Sequence, residues 1–420
     1  MREKCFREAD VLLPNTEKTS LEKWSVVACD QFTSEPIYWH NAEDIVGDAP
    51  STLNMILPEV YLDESEDRIE AINSTMERYL DDVLIEYPNS MIYVERTQSD
   101  GTVRRGILLA VDLECYDYKK GADSLIRATE ATVVERIPPR VAIRRNASLE
   151  LPHVMMLIDD PERTVIEPLE MGKCGEVVYD FDLMLDGGHI KGALLEDCFK
   201  ESISNALLSL ITPDNMEKKY GSADLAPLLF AVGDGNHSLA SAKASYEEIK
   251  ERLGDEAKDH PARYALVELV NIHDEALKFE PIYRIVEGVD CEGLIEELKE
   301  YSVALCGNAE KQRIKYLIGG EEQGEIVVDF PEQQLAVGTL QYFLDRYLKI
   351  HPNAKLDYIH GEDSVKELSR KLYTIGFVFD GMEKSQLFKT VIFDGALPRK
   401  TFSMGHAVDK RYYLECRKIK

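Results

Sequence analysis

Six consecutive residues of this chain are the best equipped for chemistry: Gly233-Asp234-Gly235-Asn236-His237-Ser238. An apolar run of strand length, residues 225–232, leads into them. Leu239, Ala242, Tyr246, Ile249 and Leu253 then recur at spacings of three and four and stop at Gly254. The pattern predicts strand, glycine turn, helix over 225–253. The first turn of a helix leaves N–H groups without internal partners, and the helix dipole adds positive charge there. Gly233 and Gly235 allow a sharp bend and let a ligand come close without a Cβ in the way. Asp234, Asn236, His237 and Ser238 place polar groups at the mouth, where a phosphate, a carboxylate or a sugar hydroxyl would find donors. A plain turn accounts for part of this, with Asp234 or Asn236 as helix cap and the glycines making the bend. Several polar groups after two glycines are more than a cap requires, which tips the balance toward an anion site.

Two known phosphate loops fit poorly. No G-x-x-x-x-G-K-[ST] string occurs. The dinucleotide fingerprint G-x-G-x-x-G finds its first two glycines at Gly233 and Gly235, but Ser238 replaces the third, which serves close helix–strand packing. The acidic residue expected about 20 residues on has no good candidate, since Glu268 falls too late and inside a strand pattern. An NAD-dependent oxidoreductase is therefore the weakest functional alternative.

The elements that must hold the turn alternate between helix and strand, which predicts a mixed α/β (α+β) protein. Ile69, Ile72, Met76, Leu80 and Val83 mark a helix over 65–86. Residues 91–97 and 102–113 read as a hairpin around Asp100-Gly101. Arg136, Arg140, Arg144 and Arg145 share one side of a helix over 136–146. They form either a solvated face paired with glutamates, which spacing alone favours, or one wall of an anion pocket. Strands are expected at 152–158, 176–185 and 264–271, with a helix over 194–211. Beyond about 290, helices at 292–300, 333–350, 362–373 and 383–391 alternate with strands at 313–318, 325–330, 355–360, 375–380 and 411–417. A multi-lobed chain follows, divided as 1–120 (an α/β region with the hairpin), 121–290 (the central region with the glycine turn) and 291–420 (a C-terminal α/β region).

Composition narrows the partners. The chain has 420 residues, 49 basic and 77 acidic, for a formal charge of −28. Such a surface repels nucleic-acid backbones and anionic lipid, so neither is expected as a partner, while a small anionic metabolite or nucleotide in a local pocket stays compatible. With 44% hydrophobic residues the chain is globular. No apolar run is long enough to span a bilayer and the N-terminal stretch lacks a signal-peptide pattern, so a cytoplasmic protein is expected. Eight scattered cysteines and nine histidines show no metal-ligand spacing, and no structural metal is expected. Homo-oligomerisation is left open.

Four ordered segments carry a resemblance to a known family. They are Arg127-Ala128-Thr129-Glu130-Ala131-Thr132 with Arg140 downstream, the turn at 233–239, Pro281-Ile282-Tyr283-Arg284, and Leu397-Pro398-Arg399-Lys400-Thr401-Phe402. Together they resemble the P-H-E-x-T, A-D-G-H-H-R-Y, P-T-H-R and M-P-x-K-S-T strings of the domain-of-unknown-function family numbered 1015. The chain departs from the pattern at Thr129, Asn236 and Tyr283, where the family has histidines, and at Ser238, where it has arginine. The family's D-G-H-H-R turn is itself similar to that of free-serine kinases in the ParB/sulfiredoxin-like group. That similarity implies a ParB/sulfiredoxin-like central region and a small-molecule phosphoryl-transfer or nucleotide-dependent enzyme with a link to serine or phosphoserine metabolism. The implied cofactor is ATP or ADP with Mg²⁺. In these terms Asp234, His237 and Glu130 are the catalytic candidates. Gly233, Gly235, Asn236, Ser238, Arg140, Arg284 and Lys400 are the phosphate- or nucleotide-binding candidates. The departures at Asn236 and Ser238 favour the alternative, a regulatory protein that binds a nucleotide or metabolite without turnover.

Overall fold

A computed structural model describes residues 4–130 and 137–420, with backbone alone for 62–67 and 139. Thr132 and Arg136, singled out above, lie outside the described residues. The chain divides into two compact units. The first comprises Met1–Ala128, Thr132–Leu277 and His406–Lys420; the second comprises Thr129–Ala131 and Lys278–Gly405. The protein is a mixed α+β protein in which parallel and antiparallel pairings share one large sheet.

The first unit is built on that ten-stranded sheet. Ile92–Thr97 and Val103–Asp112 form the expected hairpin, with Ile92 opposite Leu108. Gly101 takes φ 82° at its tip, and Asp100 accepts the Thr102 N–H at 2.9 Å. Val103–Asp112 pairs antiparallel with Tyr264–Asn271, which runs parallel to Met155–Ile158. Met155–Ile158 pairs antiparallel with Phe230–Asp234, and that strand runs parallel to Ile126–Ala128. The turn at 233–238 thus follows an interior strand of the sheet, third from one end.

Several elements differ from expectation for identifiable reasons. The strand before the turn starts at Phe230 rather than 225. Pro227 has no N–H to give a ladder, and the Arg127 guanidinium holds the carbonyls of Ala226 and Pro227 instead. The helix expected over 65–86 ends at Asp82, and Leu84–Ser90 is a strand. Its partner is Ala9–Pro14, with Leu13 opposite Ile85; local periodicity cannot reveal a partner seventy residues away. The strand expected at 411–417 is two short ones. Tyr412–Tyr413 pairs with Val26–Val27 and Arg417–Lys418 with Leu149–Glu150.

That C-terminal segment is fixed by buried charge. Arg411 reaches Glu268 at 2.6 Å and also pairs with Glu415, while Arg104 reaches Glu268 at 3.3 Å. Burial alone would raise the Glu268 carboxyl, but the guanidinium groups of Arg104 and Arg411 outweigh it and hold it below the usual carboxylate range. Glu268 is thus part of the core of the first unit, and both tryptophans, Trp24 and Trp39, are buried in that same core.

The second unit carries an antiparallel sheet in the order Glu321–Val328, Gln312–Ile318, Thr374–Phe379, Phe279–Glu287, Lys355–His360. Phe402–Met404 pairs with the start of Phe279–Glu287. Ile285, Leu317, Val365 and Val378 pack on one face. Among the described residues no helix is long and apolar enough to cross a membrane.

Candidate functional site

The turn is shaped by a bulge and a left-handed residue. Along the pairing of Met155–Ile158 with Phe230–Asp234, Met156 faces Val232 and Met155 faces Asp234, so Gly233 has no opposite number. A bulge of this kind kinks a strand and re-aims the next side chain. Gly233 is required because a Cβ there would lie 2.7 Å from Leu157 Cγ. Gly235 follows with φ 80°, where a Cβ would also lie 3.1 Å from Val154 Cα. Both glycines make room for the neighbouring segment of the protein itself, Leu157 at Gly233 and Val154 at Gly235.

The helix Asn236–Leu253 begins immediately, with Gly235 as its N-cap. Gly235 has no side chain to cap with, and since it holds the N-cap position neither Asp234 nor Asn236 is the simple cap. Asp234 instead accepts the Gly235 N–H at 3.0 Å and the Lys410 ammonium at 2.9 Å. An ammonium has three hydrogens to give, and Asp234 occupies one. The positive end of an 18-residue helix and the Lys410 charge therefore stand at one place.

A cluster of polar side chains lies against the same helix start. His153 Nε2 is 2.9 Å from Ser238 Oγ, and His153 Nδ1 is 2.8 Å from the Tyr413 hydroxyl. Tyr413 donates to Cys29 Sγ at 3.1 Å. Asp30 Oδ2 stands 3.9 Å from His153 Nε2. Burial works to raise the Asp30 carboxyl, but His153, the Gln31 side chain and Lys410 outweigh it and hold it below its ordinary value. Burial, with Asp30 adding to it, pushes the Cys29 thiol up to about 12, so it is no thiolate at neutral pH. Ser238, His153 and Tyr413 border a cavity of about 170 Å³. Its walls include Met55, Leu57, Leu149 and Leu266, with Arg140 and Arg144 on the polar side.

The expected site residues fall into two groups. Gly233, Asp234, Gly235, Asn236, His237, Ser238 and Arg140 belong to the first unit. Asn236 and His237 are half-buried in the first helical turn, and the His237 carbonyl accepts the Ser241 hydroxyl at 2.7 Å. On the helix Ile137–Arg145, Arg140 pairs with Glu59, Arg144 with Glu150 and Arg145 with Glu248. This is the glutamate-paired face that spacing favoured, although Arg140 and Arg144 also wall the cavity.

Glu130, Arg284 and Lys400 are brought together in the second unit. Glu130 bridges to Leu397, whose N–H donates to the Thr129 carbonyl at 2.7 Å. Arg284 is fully buried. It donates to Gln341 Oε1 at 2.7 Å and to the backbone carbonyls of Ile282, Tyr283 (3.4 Å), Arg399 (3.2 Å) and Lys400 (3.0 Å). Its guanidinium therefore ties its own strand to the loop at 397–401 through the carbonyls of Arg399 and Lys400. Lys400 has an exposed side chain on a left-handed backbone, φ 56°.

Asp30, His153, Lys410 and Tyr413 were not anticipated. His153 alone left a trace, as a polar residue inside the apolar strand pattern of 152–158. Lys410 reaches Asp234 across 176 positions, a contact that no local pattern encodes. Among the described residues no group of three or more His, Cys, Asp or Glu side chains is arranged to hold a metal ion.

No curated protein matches the chain in sequence. Several solved structures align with it at low similarity. A conserved hypothetical protein from Pyrococcus furiosus is 10% identical, with 74% of this chain and 95% of that one covered and a TM-score of 0.34. A free serine kinase in complex with AMP is 11% identical, with 74% and 91% covered and a TM-score of 0.35. SbnI with C-terminal truncation, from Staphylococcus aureus, is 11% identical, with 73% and 82% covered and a TM-score of 0.33. The profile of the family described as "Protein of unknown function (DUF1015)" matches residues 12–379, and the chain belongs to that family.

Proposed function

We propose that the first unit binds a phosphate-bearing small molecule, a nucleotide foremost, at the start of the helix Asn236–Leu253. We further propose that it moves a phosphoryl group between that molecule and a small hydroxyl compound, with serine the first acceptor to test. One observation carries this: the start of an 18-residue helix, a lysine and a His–Asp pair meet beside a cavity with an apolar wall. The helix start and Lys410 suit the charged phosphates, while Met55, Leu57, Leu149 and Leu266 suit a flat apolar body.

Phosphoryl transfer needs charge neutralisation and a group that takes the hydroxyl proton. Lys410 and the helix start supply the first; His153 and Asp30 are placed for the second. Asp234 orders the site by holding Lys410 and the Gly235 N–H. Because Lys410 engages its carboxylate, Asp234 is poorly placed to hold Mg²⁺, and a divalent ion fits this site better as a companion of the nucleotide phosphates than as a resident of the protein. His237, in the same helical turn, is a second phosphate contact.

The test is a melting-shift series with phosphate, ATP, ADP and phosphoserine, followed by a turnover assay with ATP, Mg²⁺ and serine. Binding with turnover supports the enzyme. Saturable binding without turnover marks a nucleotide-binding regulator, the reading that the departures at Asn236 and Ser238 favour. A flat response to all four anions sinks both.

A further inference from the structure

The contacts around His153 allow a proton arrangement that suits chemistry. Tyr413 can place its hydrogen on Cys29 Sγ at 3.1 Å. Its oxygen accepts the Cys29 N–H at 3.3 Å and has room for one more donor, His153 Nδ1 at 2.8 Å. Burial, then Cys29 and Asp30, push the Tyr413 phenol well above 10, so it keeps that hydrogen at neutral pH. In that arrangement His153 carries its proton on Nδ1, Nε2 is an acceptor, and the Ser238 hydroxyl at 2.9 Å donates to it. The chain of donors runs unbroken from Ser238 through His153 and Tyr413 to Cys29.

A serine that donates to a neutral imidazole, whose other nitrogen is held by a third group, is the general design of an activated nucleophile. Asp30, 3.9 Å from the same Nε2, would stabilise the imidazolium formed when the proton moves. Both reacting side chains border the cavity of about 170 Å³, so an electrophile has a place to sit. Ser238 stands where the family pattern has arginine, and this pairing is accordingly a property of this chain's own sequence.

We propose that Ser238 is a covalent nucleophile that carries the phosphoryl group between donor and acceptor. This rests on the phosphoryl-transfer function proposed above. In the first half, Ser238 Oγ bonds to phosphorus, the bond from phosphorus to the donor's leaving oxygen breaks with its electron pair, and the serine proton moves to His153 Nε2. In the second half, the acceptor oxygen bonds to phosphorus and the Oγ–phosphorus bond breaks. Oγ recovers its proton from His153, and the acceptor's own proton passes to Asp30 and then to water. No oxidant or reductant is needed, and one proton is released per transfer.

The test uses a fluorophosphonate, a phosphorus electrophile that reports nucleophilicity whatever the natural donor. Intact mass and peptide mapping of the full chain should find one adduct, on Ser238. Ser238→Ala should abolish it. His153→Gln should slow it at least tenfold and flatten the rise of rate with pH that the proposal expects of wild type. Tyr413→Phe should displace that pH profile, an effect that a merely structural role would not produce. Melting curves identify any variant that fails to fold, and Ser238→Ala, which loses one oxygen, is the variant least exposed to that problem. A second arm incubates wild type with radiolabelled ATP and expects an acid-stable phosphoserine at 238. No adduct on folded wild type, or an equal adduct on Ser238→Ala, overturns the proposal. An adduct on Ser238 in a protein that binds neither phosphate nor nucleotide supports the nucleophile and overturns the phosphoryl function. Nucleotide binding with no adduct does the reverse.

Discussion

The turn at 233–238 and the loop at 397–401 both drew site candidates from the sequence, yet the charged residues around them act in opposite ways. At the turn, Lys410, His153 and Asp30 gather at a helix start beside a cavity. At the loop, the cation that holds it, Arg284, is sealed in the interior and spends its donors on Gln341 and four backbone carbonyls. A buried guanidinium among carbonyls fixes a chain path; a half-buried ammonium on a carboxylate keeps donors to offer. A residue type in a motif says which chemistry is available, and only its partners say whether that chemistry is already spent.

Acid should separate the two units most strongly. Burial raises the carboxyls of Glu268, Glu150 and Asp159 in the first unit. Their partners outweigh it: Arg104 and Arg411 for Glu268, Arg417 and Arg144 for Glu150, His273 and Lys219 for Asp159. Each is thus held below its ordinary value of 4.5 or 3.8. Their stabilisation is complete above those unfolded-state values and is lost as pH falls through the lower folded ones. The buried ion of the second unit, Arg284, does not titrate in acid. Tryptophan fluorescence reports the first unit alone, because Trp24 and Trp39 both lie there. On lowering the pH, fluorescence should change before the helical signal is fully lost; coincident transitions would break the contrast.

Arg284→Met should cost about 3 kcal/mol in denaturant unfolding, since it leaves buried carbonyls without donors. A loss under about 1 kcal/mol would show that the clamp is dispensable. Gly235→Ala should cost roughly 1 kcal/mol, because its φ of 80° disfavours a Cβ and Val154 crowds the same space. An unchanged midpoint would mean that the turn relaxes freely and does not depend on its left-handed residue.

Much of the fold was legible. The hairpin at Asp100-Gly101, the strand Tyr264–Asn271 and the helix after Gly235 follow from turn chemistry and local periodicity. Leu84–Ser90 was not, because its strand character comes from pairing with Ala9–Pro14. The site was half legible for the same reason. The turn announces itself in six residues, whereas Asp30, His153, Lys410 and Tyr413 arrive from four distant segments through tertiary contacts. Arg284 was legible as a matched cation but not as a buried one, since its burial depends on a loop more than a hundred residues away.

The most direct measurement is isothermal titration of ADP into wild type, Lys410→Met and Arg284→Met, at a temperature where all three are folded. Lys410→Met removes a charge-assisted donor and leaves Asp234 facing the phosphates, so affinity should fall about tenfold to a hundredfold, roughly 1.4–2.7 kcal/mol. Arg284→Met should bind ADP within about twofold of wild type, because its donors serve the protein itself. Unchanged binding in Lys410→Met together with a large loss in Arg284→Met would contradict the account.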